Sequence, residues 1–216
     1  MHVKDWPEEY NCLNKALETA GNDANNKKSW NADTLTKPWA LRMKVLAGIY
    51  HLFGNMMLQA GNREEALLHY RQGQKIAEQI SDSVTLAFIQ LDLGAFYIDM
   101  INVDSALIME QNTIRILTRA GIIQPLGYAN TLMGKIYQKK FKDSLALQYY
   151  YNALKISTRF QNYTNLHGTF GYLTKFYLNP KKNTDSAIYY ARKNLNILHV
   201  SAIQDFASVY TDFVKA

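Results

Sequence analysis

Residues 46–70 read LAGIYHLFGNMMLQAGNREEALLHY, and the stretch returns three times: FIQLDLGAFYIDMINVDSALIMEQ at 88–111, NTLMGKIYQKKFKDSLALQYY at 130–150 and YLTKFYLNPKKNTDSAIYY at 172–190. In register, Gly54, Gly94 and Gly134 fall 40 residues apart, and Thr174 takes the fourth slot. Met57, Tyr97, Tyr137 and Tyr177 follow three positions later; Ala66, Ala106, Ala146 and Ala187 follow after a turn. The last of these intervals is 41, because NPKKNTD carries one extra residue. A recurrence of this length marks stacked supersecondary units, each too small to bury its own apolar face.

Each unit reads as two helices. Apolar residues recur at three and four positions on both sides of the short polar turns AGNRE, INVDS, KKFKDS and NPKKNTDS. Asn62 and Thr184 or Asp185 are placed to cap second helices with a side-chain oxygen. A glycine or small residue in the first helix lets the second approach closely, and the alanine of the second fits against it. Packing alone accounts for all of these signature positions.

Composition agrees with a folded all-α chain. Of the 216 residues, 48% are hydrophobic and 19% charged, with four prolines, enough apolar content for a core and few helix breakers. Cys12 is the only cysteine, so an intramolecular disulfide, a thiolate cluster and a redox dithiol are excluded. No run of about 20 apolar residues occurs and the start, MHVKDWPEEYN, lacks an apolar signal core. The segment therefore reads as soluble, without membrane insertion, in either the cytoplasm or the periplasm. Its last residues, Phe206 to Ala216, read as a helix in progress, as in a segment cut from a longer protein.

The net charge of +6 is uneven: residues 1–134 hold 12 Lys+Arg against 14 Asp+Glu, whereas 135–193 hold 11 against only Asp143 and Asp185. One end is strongly basic, a distribution that solvates a surface and can also steer an anionic partner.

The Gly, aromatic and Ala spacing resembles the tetratricopeptide repeat family. The match covers residues 38–216, in repeats at about 38–81, 82–121, 122–161 and 162–199 and a partial one at 200–216, whose first helix starts at Ile203 to Tyr210. The usual period of the family is 34, so these helices are expected to be longer by about a turn; its Trp and its repeat-end Pro are absent. HEAT and armadillo repeats have similar length but not this spacing, and a WD propeller needs strands. The resemblance implies a right-handed superhelical solenoid of antiparallel helix pairs. Residues 1–37 precede it as an N-terminal helix, near 7–21, and a polar capping loop that Trp30 and Trp39 pin to the first hairpin.

The resemblance also implies that the first helices line a concave face. The slot after each glycine then holds Asn55, Ala95, Lys135, Lys175 and, in the fifth helix, Ser208; three further on come Leu58, Ile98, Gln138 and Leu178. One turn earlier stand His51, Leu91, Thr131 and Gly171, preceded by Gly48, Phe88, Tyr128 and Gly168. The implied groove passes from apolar around Leu58, Phe88, Leu91 and Ile98 to cationic around Tyr128, Lys135, Gln138 and Lys175, which suits a peptide with apolar side chains and an acidic segment. Chaperone-binding members of the family clamp a terminal carboxylate with Lys and Asn; Asn55 matches one such slot, but His51 stands where a Lys is needed.

Catalytic motifs are absent. There is no GxxxxGK phosphate loop, no GxGxxG after a strand and no HExxH. His2, His51, His69, His167 and His199 never fall three or four residues apart, so no helix face offers a histidine pair to a metal. Cys12 has no histidine near it and reads as a small buried residue. No catalytic, cofactor or metal residues are assigned. The expected function is non-catalytic protein or peptide binding. The chain's texture resembles the input regions of bacterial sensor histidine kinases and related transcription regulators, which implies a place in signal transduction. A constitutive assembly scaffold or homodimerisation module is the second class. An anion or nucleic-acid binder using 135–193 is the third, disfavoured because the aromatics there follow the repeat spacing.

Overall fold

The structure, a computed structural model, describes residues 6–22, 38–100, 102–178 and 183–198. All secondary structure among these residues is helical: α1 (Trp6–Asn22), α2 (Pro38–Gln59), α3 (Arg63–Gln79), α4 (Ser83–Asp99), α5 (Val103–Arg119), α6 (Leu126–Lys139), α7 (Asp143–Arg159), α8 (Tyr163–Tyr177) and α9 (184–198). The all-α expectation holds, in a form compatible with a helical repeat. The capping loop, Trp30 and the fifth-repeat start with Ser208 lie outside the described residues.

Turn chemistry explains why the helices stop where they do. At each described turn between consecutive repeat helices that carries a left-handed residue, that residue falls 20 or 40 positions from the last: Gly61, Ser81, Gly121, Phe141 and Gln161, with φ between 52° and 86°. The flanking bonds form the same pattern throughout, as in Asn62 N–H to Met57 O at 2.8 Å with Gly61 N–H to Leu58 O at 3.1 Å, and Lys142 N–H to Tyr137 O at 2.9 Å with Phe141 N–H to Gln138 O at 3.1 Å. This is the Schellman closure, which satisfies the last carbonyls of one helix while reversing the chain. A helix of 17 residues plus a three-residue turn gives a 20-residue half-repeat.

Three of the helices that follow are capped by an Asx side chain, whereas Lys142 before α7 makes no side-chain cap bond. Asn102 accepts from Ser105 N–H, Asn162 from Asn165 N–H at 3.0 Å and Asp82 from Thr85 N–H at 3.1 Å. Two capping expectations are corrected. Asn62 occupies the cap position but makes no side-chain cap bond; its amide points to Met57 Sδ at 3.9 Å. In the fourth repeat Asn183, one residue before the expected Thr184 or Asp185, accepts from Ser186 N–H at 3.1 Å. Cys12, expected to be buried, is exposed on α1.

The chain divides into two compact units, Met1–Phe96 and Tyr97–Ala216. In the first, α1 packs on α2 and α2 on α3. A Cβ on Gly54 would lie 2.5 Å from the Tyr70 ring, and one on Gly73 3.0 Å from the Ala47 carbonyl and 3.1 Å from Ile89. In the second, α6 packs on α5, α7 and α8, and α7 also on α8. Gly134 lies under the fully buried Tyr150 ring as Gly54 lies under Tyr70, each tyrosine sixteen residues after its glycine. Ala146, Tyr150, Leu173 and Phe176 form the core there, with Leu147 and Leu154 packed at its edge. The fourth repeat exchanges the sizes, since Thr174 stands in the glycine's register and Ala191 in the tyrosine's.

Candidate functional site

The residues expected to contact a ligand fall on the first helices of both units. In unit one, α2 carries His51, Asn55 and Leu58, and α4 carries Phe88 and Leu91. His51 Nε2 lies 2.6 Å from Asp92 Oδ2, where a carboxylate acceptor requires the ring nitrogen to donate. The contact joins α2 to α4, and Lys44 Nζ on α2 lies 3.0 Å from Oδ2 of Asp82, the residue before α4. Asn55 Oδ1 accepts from the Tyr70 hydroxyl at 2.5 Å. Leu58 and Phe88 are half-buried, whereas Leu91 is buried.

Unit two repeats this logic with different residues. Thr131 on α6 is 1% exposed. Its hydroxyl shares a hydrogen bond with Thr169 Oγ1 at 2.7 Å, donates within a network to Asn165 Oδ1 at 3.2 Å and lies 3.1 Å from Gly127 O. Asn165 Nδ2 donates to Ser157 Oγ at 2.6 Å, so the network ties α6, α7 and α8 together. Gly127 makes room for it, since a Cβ there would lie 2.7 Å from Ser157 Oγ. Gln138 Oε1 accepts from the Tyr150 hydroxyl at 2.8 Å, the counterpart of Asn55 on Tyr70. Ile98 is fully buried.

These contacts sort the slots by role. The slot one turn before the glycine fastens a first helix to the next one, as His51 does to Asp92 and Thr131 to Thr169. The slots after the glycine hold the tyrosine of the second helix at two of their positions, Asn55 and Gln138. Surface is left around Tyr128, half-buried, and the lysines. Lys135 Nζ sits 3.3 Å from Asp99 Oδ1 and 4.8 Å from the centre of the Tyr172 ring, its side chain 14% exposed. Lys175, on α8, is exposed. Gly48 on α2 and Gly168 on α8 would each meet nothing within 4 Å if a Cβ were added. Sequence reasoning missed Asp92, Asp99, Tyr70 and Tyr150; the tyrosines were signalled by their fixed distance from the glycines, the aspartates by nothing but their spacing of about one repeat from their partners.

Burial sets the titration of the tyrosines. The Tyr150 phenol is pushed well above its ordinary value by burial and by Tyr172, and the Tyr70 phenol by burial and by Asp92. Burial lowers His69, which stacks on Phe53 with ring centroids 5.1 Å apart. Among the described residues no three His, Cys, Asp or Glu side chains cluster to hold a metal, and no helix is long and apolar enough to cross a membrane.

With this arrangement of helices and paired rings in view, one solved structure is informative. The chain is similar in fold to BtubC (BKLC) from P. vanneervenii. The crystal structure of that protein superimposes on 86% of this chain and 73% of its own, with a TM-score of 0.61 and 17% identity. At that identity the likeness to BtubC shows the all-helical fold alone. No family model matches the chain, and no curated protein matches it.

Proposed function

We propose that the chain is a non-catalytic protein- or peptide-binding module of the tetratricopeptide kind, serving as the input or regulatory part of a larger bacterial signalling protein. The binding surface we assign is the first-helix face of unit two, with Lys175 on α8 and Lys135 and Tyr128 on α6. The partner this face suits is a peptide or protein segment carrying acidic side chains.

The observation that supports this most is the contrast between Lys175 and the polar residues near it in the fold. Thr131, Asn165 and Thr169 have their polar atoms bonded within the fold, and Gln138 has its amide oxygen on Tyr150, so they explain themselves as packing. Lys175 is exposed, and it lies with Lys135, whose ammonium is set on Asp99 and over the Tyr172 ring, within a stretch that has 11 Lys+Arg against two Asp. An exposed ammonium in a strongly cationic stretch attracts carboxylates.

The test is a peptide-array or pull-down screen comparing wild type with the Lys135→Glu plus Lys175→Glu variant, both first shown to be equally helical. Acidic ligands captured by wild type should be lost from the variant by about tenfold or more. Equal capture of every ligand by both proteins would exclude this face.

A further inference from the structure

The last described helix, α9, carries an apolar stripe that its counterpart one repeat earlier keeps covered. Ile188 and Leu195 lie 41 residues after Leu147 and Leu154, the register set by Ala146 and Ala187. Leu147 and Leu154 pack against the core of Ala146, Tyr150, Leu173 and Phe176. Ile188 is 47% exposed, Leu195 59% and Leu198 44%. Spaced at helical intervals, these side chains form one face.

The stretch of chain after α9 has the composition to cover that face. In α8 the buried positions ahead of Phe176 are Asn165, Leu166, Thr169 and Leu173. A step of 41 carries them to Phe206, Ala207, Tyr210 and Val214, all apolar or aromatic, while the exposed Thr164 and His167 become Asp205 and Ser208. One pair changes character together. Ser157 and Asn165 are joined by a hydrogen bond of 2.6 Å; the same two registers hold Leu198 and Phe206. The two registers that form a polar contact between α7 and α8 are thus both apolar in sequence at 198 and 206.

We propose that residues 204–216 of this same chain dock on the Ile188, Leu195 and Leu198 face of α9, in the register in which α8 packs on α7. This register differs from the one that puts Ala207 in the glycine slot. Thr174 lies eleven residues into α8, so a slot at Ala207 would begin its helix at residue 196, inside α9. The inference does not rest on the peptide-binding reading and concerns a different face.

Cysteine pairs in the full chain, in a Cys12→Ser background, test it. Under mild oxidation Leu198→Cys with Phe206→Cys should close an intrachain disulfide at least about tenfold faster than Leu198→Cys with Ser208→Cys, because docking selects one side of the segment. Equal rates for the two pairs would mean an undocked segment, and predominantly interchain disulfide would mean a second copy as the occupant; either overturns the proposal. Independently of any crosslink, Phe206→Asp should lower the thermal midpoint by about 5–10 °C and Ser208→Asp leave it within about 2 °C. Equal midpoints for the two would overturn it as well.

Discussion

Adding one methyl group to Gly134 is expected to weaken the protein, although the glycine sits inside a helix. An alanine there would gain about 1 kcal/mol of helix propensity. Its Cβ, however, would meet Tyr150, with ring atom Cδ1 at 2.5 Å. The ring has nowhere to retreat, being fully buried against Ala146, Leu173 and Phe176. Overpacking of this kind costs about 1–3 kcal/mol. Displacing the ring also breaks the Tyr150 hydroxyl bond to Gln138 and strands a buried phenol, at about 1–3 kcal/mol. The net effect of Gly134→Ala is a loss of about 3 kcal/mol, or about 6–12 °C in thermal midpoint for a chain of this size. Gly168→Ala is the internal control: its Cβ enters open space, so it should gain about 1 kcal/mol and raise the midpoint by about 2–4 °C. Circular-dichroism melts and urea titrations of the two variants measure both signs. If Gly134→Ala stabilises as much as Gly168→Ala does, the ring-over-glycine packing of α6 and α7 is refuted.

Phe141 holds a left-handed backbone with φ of 56° while 92% exposed, so Phe141→Gly relieves strain and loses no packing; it should stabilise by about 1 kcal/mol in urea titration. Thr131→Val removes the hydroxyl shared by Thr169 and Asn165 without changing shape, and melts should show a loss of about 1–3 kcal/mol. At alkaline pH the raised phenols of Tyr70 and Tyr150 keep their protons in the folded state while the unfolded chain gives them up near pH 10. Their contribution is therefore complete below about pH 10 and lost as pH climbs toward their folded values, at about 1.4 kcal/mol per pH unit for each. Thermal midpoints that stay level from about pH 9 to pH 11 would contradict this, and Tyr70→Phe with Tyr150→Phe should flatten the fall.

The repeat was legible because close packing restricts residue choice. Only glycine fits beneath Tyr70 and Tyr150, so Gly54 and Gly134 stand out at a fixed interval. The 20-residue half-period was hidden for the opposite reason: three of the five left-handed turn residues are Ser81, Phe141 and Gln161, which carry no glycine signal. The faces of the first helices were read from one helix at a time. That reading finds the side opposite the hairpin partner but not the part of it covered by the next first helix. Thr131 accordingly lies against α8, whereas Lys175, in the slot after the glycine's position, is exposed. The tie between Asn55 and Tyr70 escaped notice because an amide in a groove slot looks the same whether it awaits a ligand or already serves a core tyrosine.

The repeat geometry itself is open to direct observation in solution by nuclear Overhauser spectroscopy on labelled protein. The Hα protons of Gly54 and Gly134 should show cross-peaks to the ring protons of Tyr70 and Tyr150 respectively, together with upfield ring-current shifts. Glycine resonances at ordinary shifts, without any ring cross-peak at either position, would contradict the account.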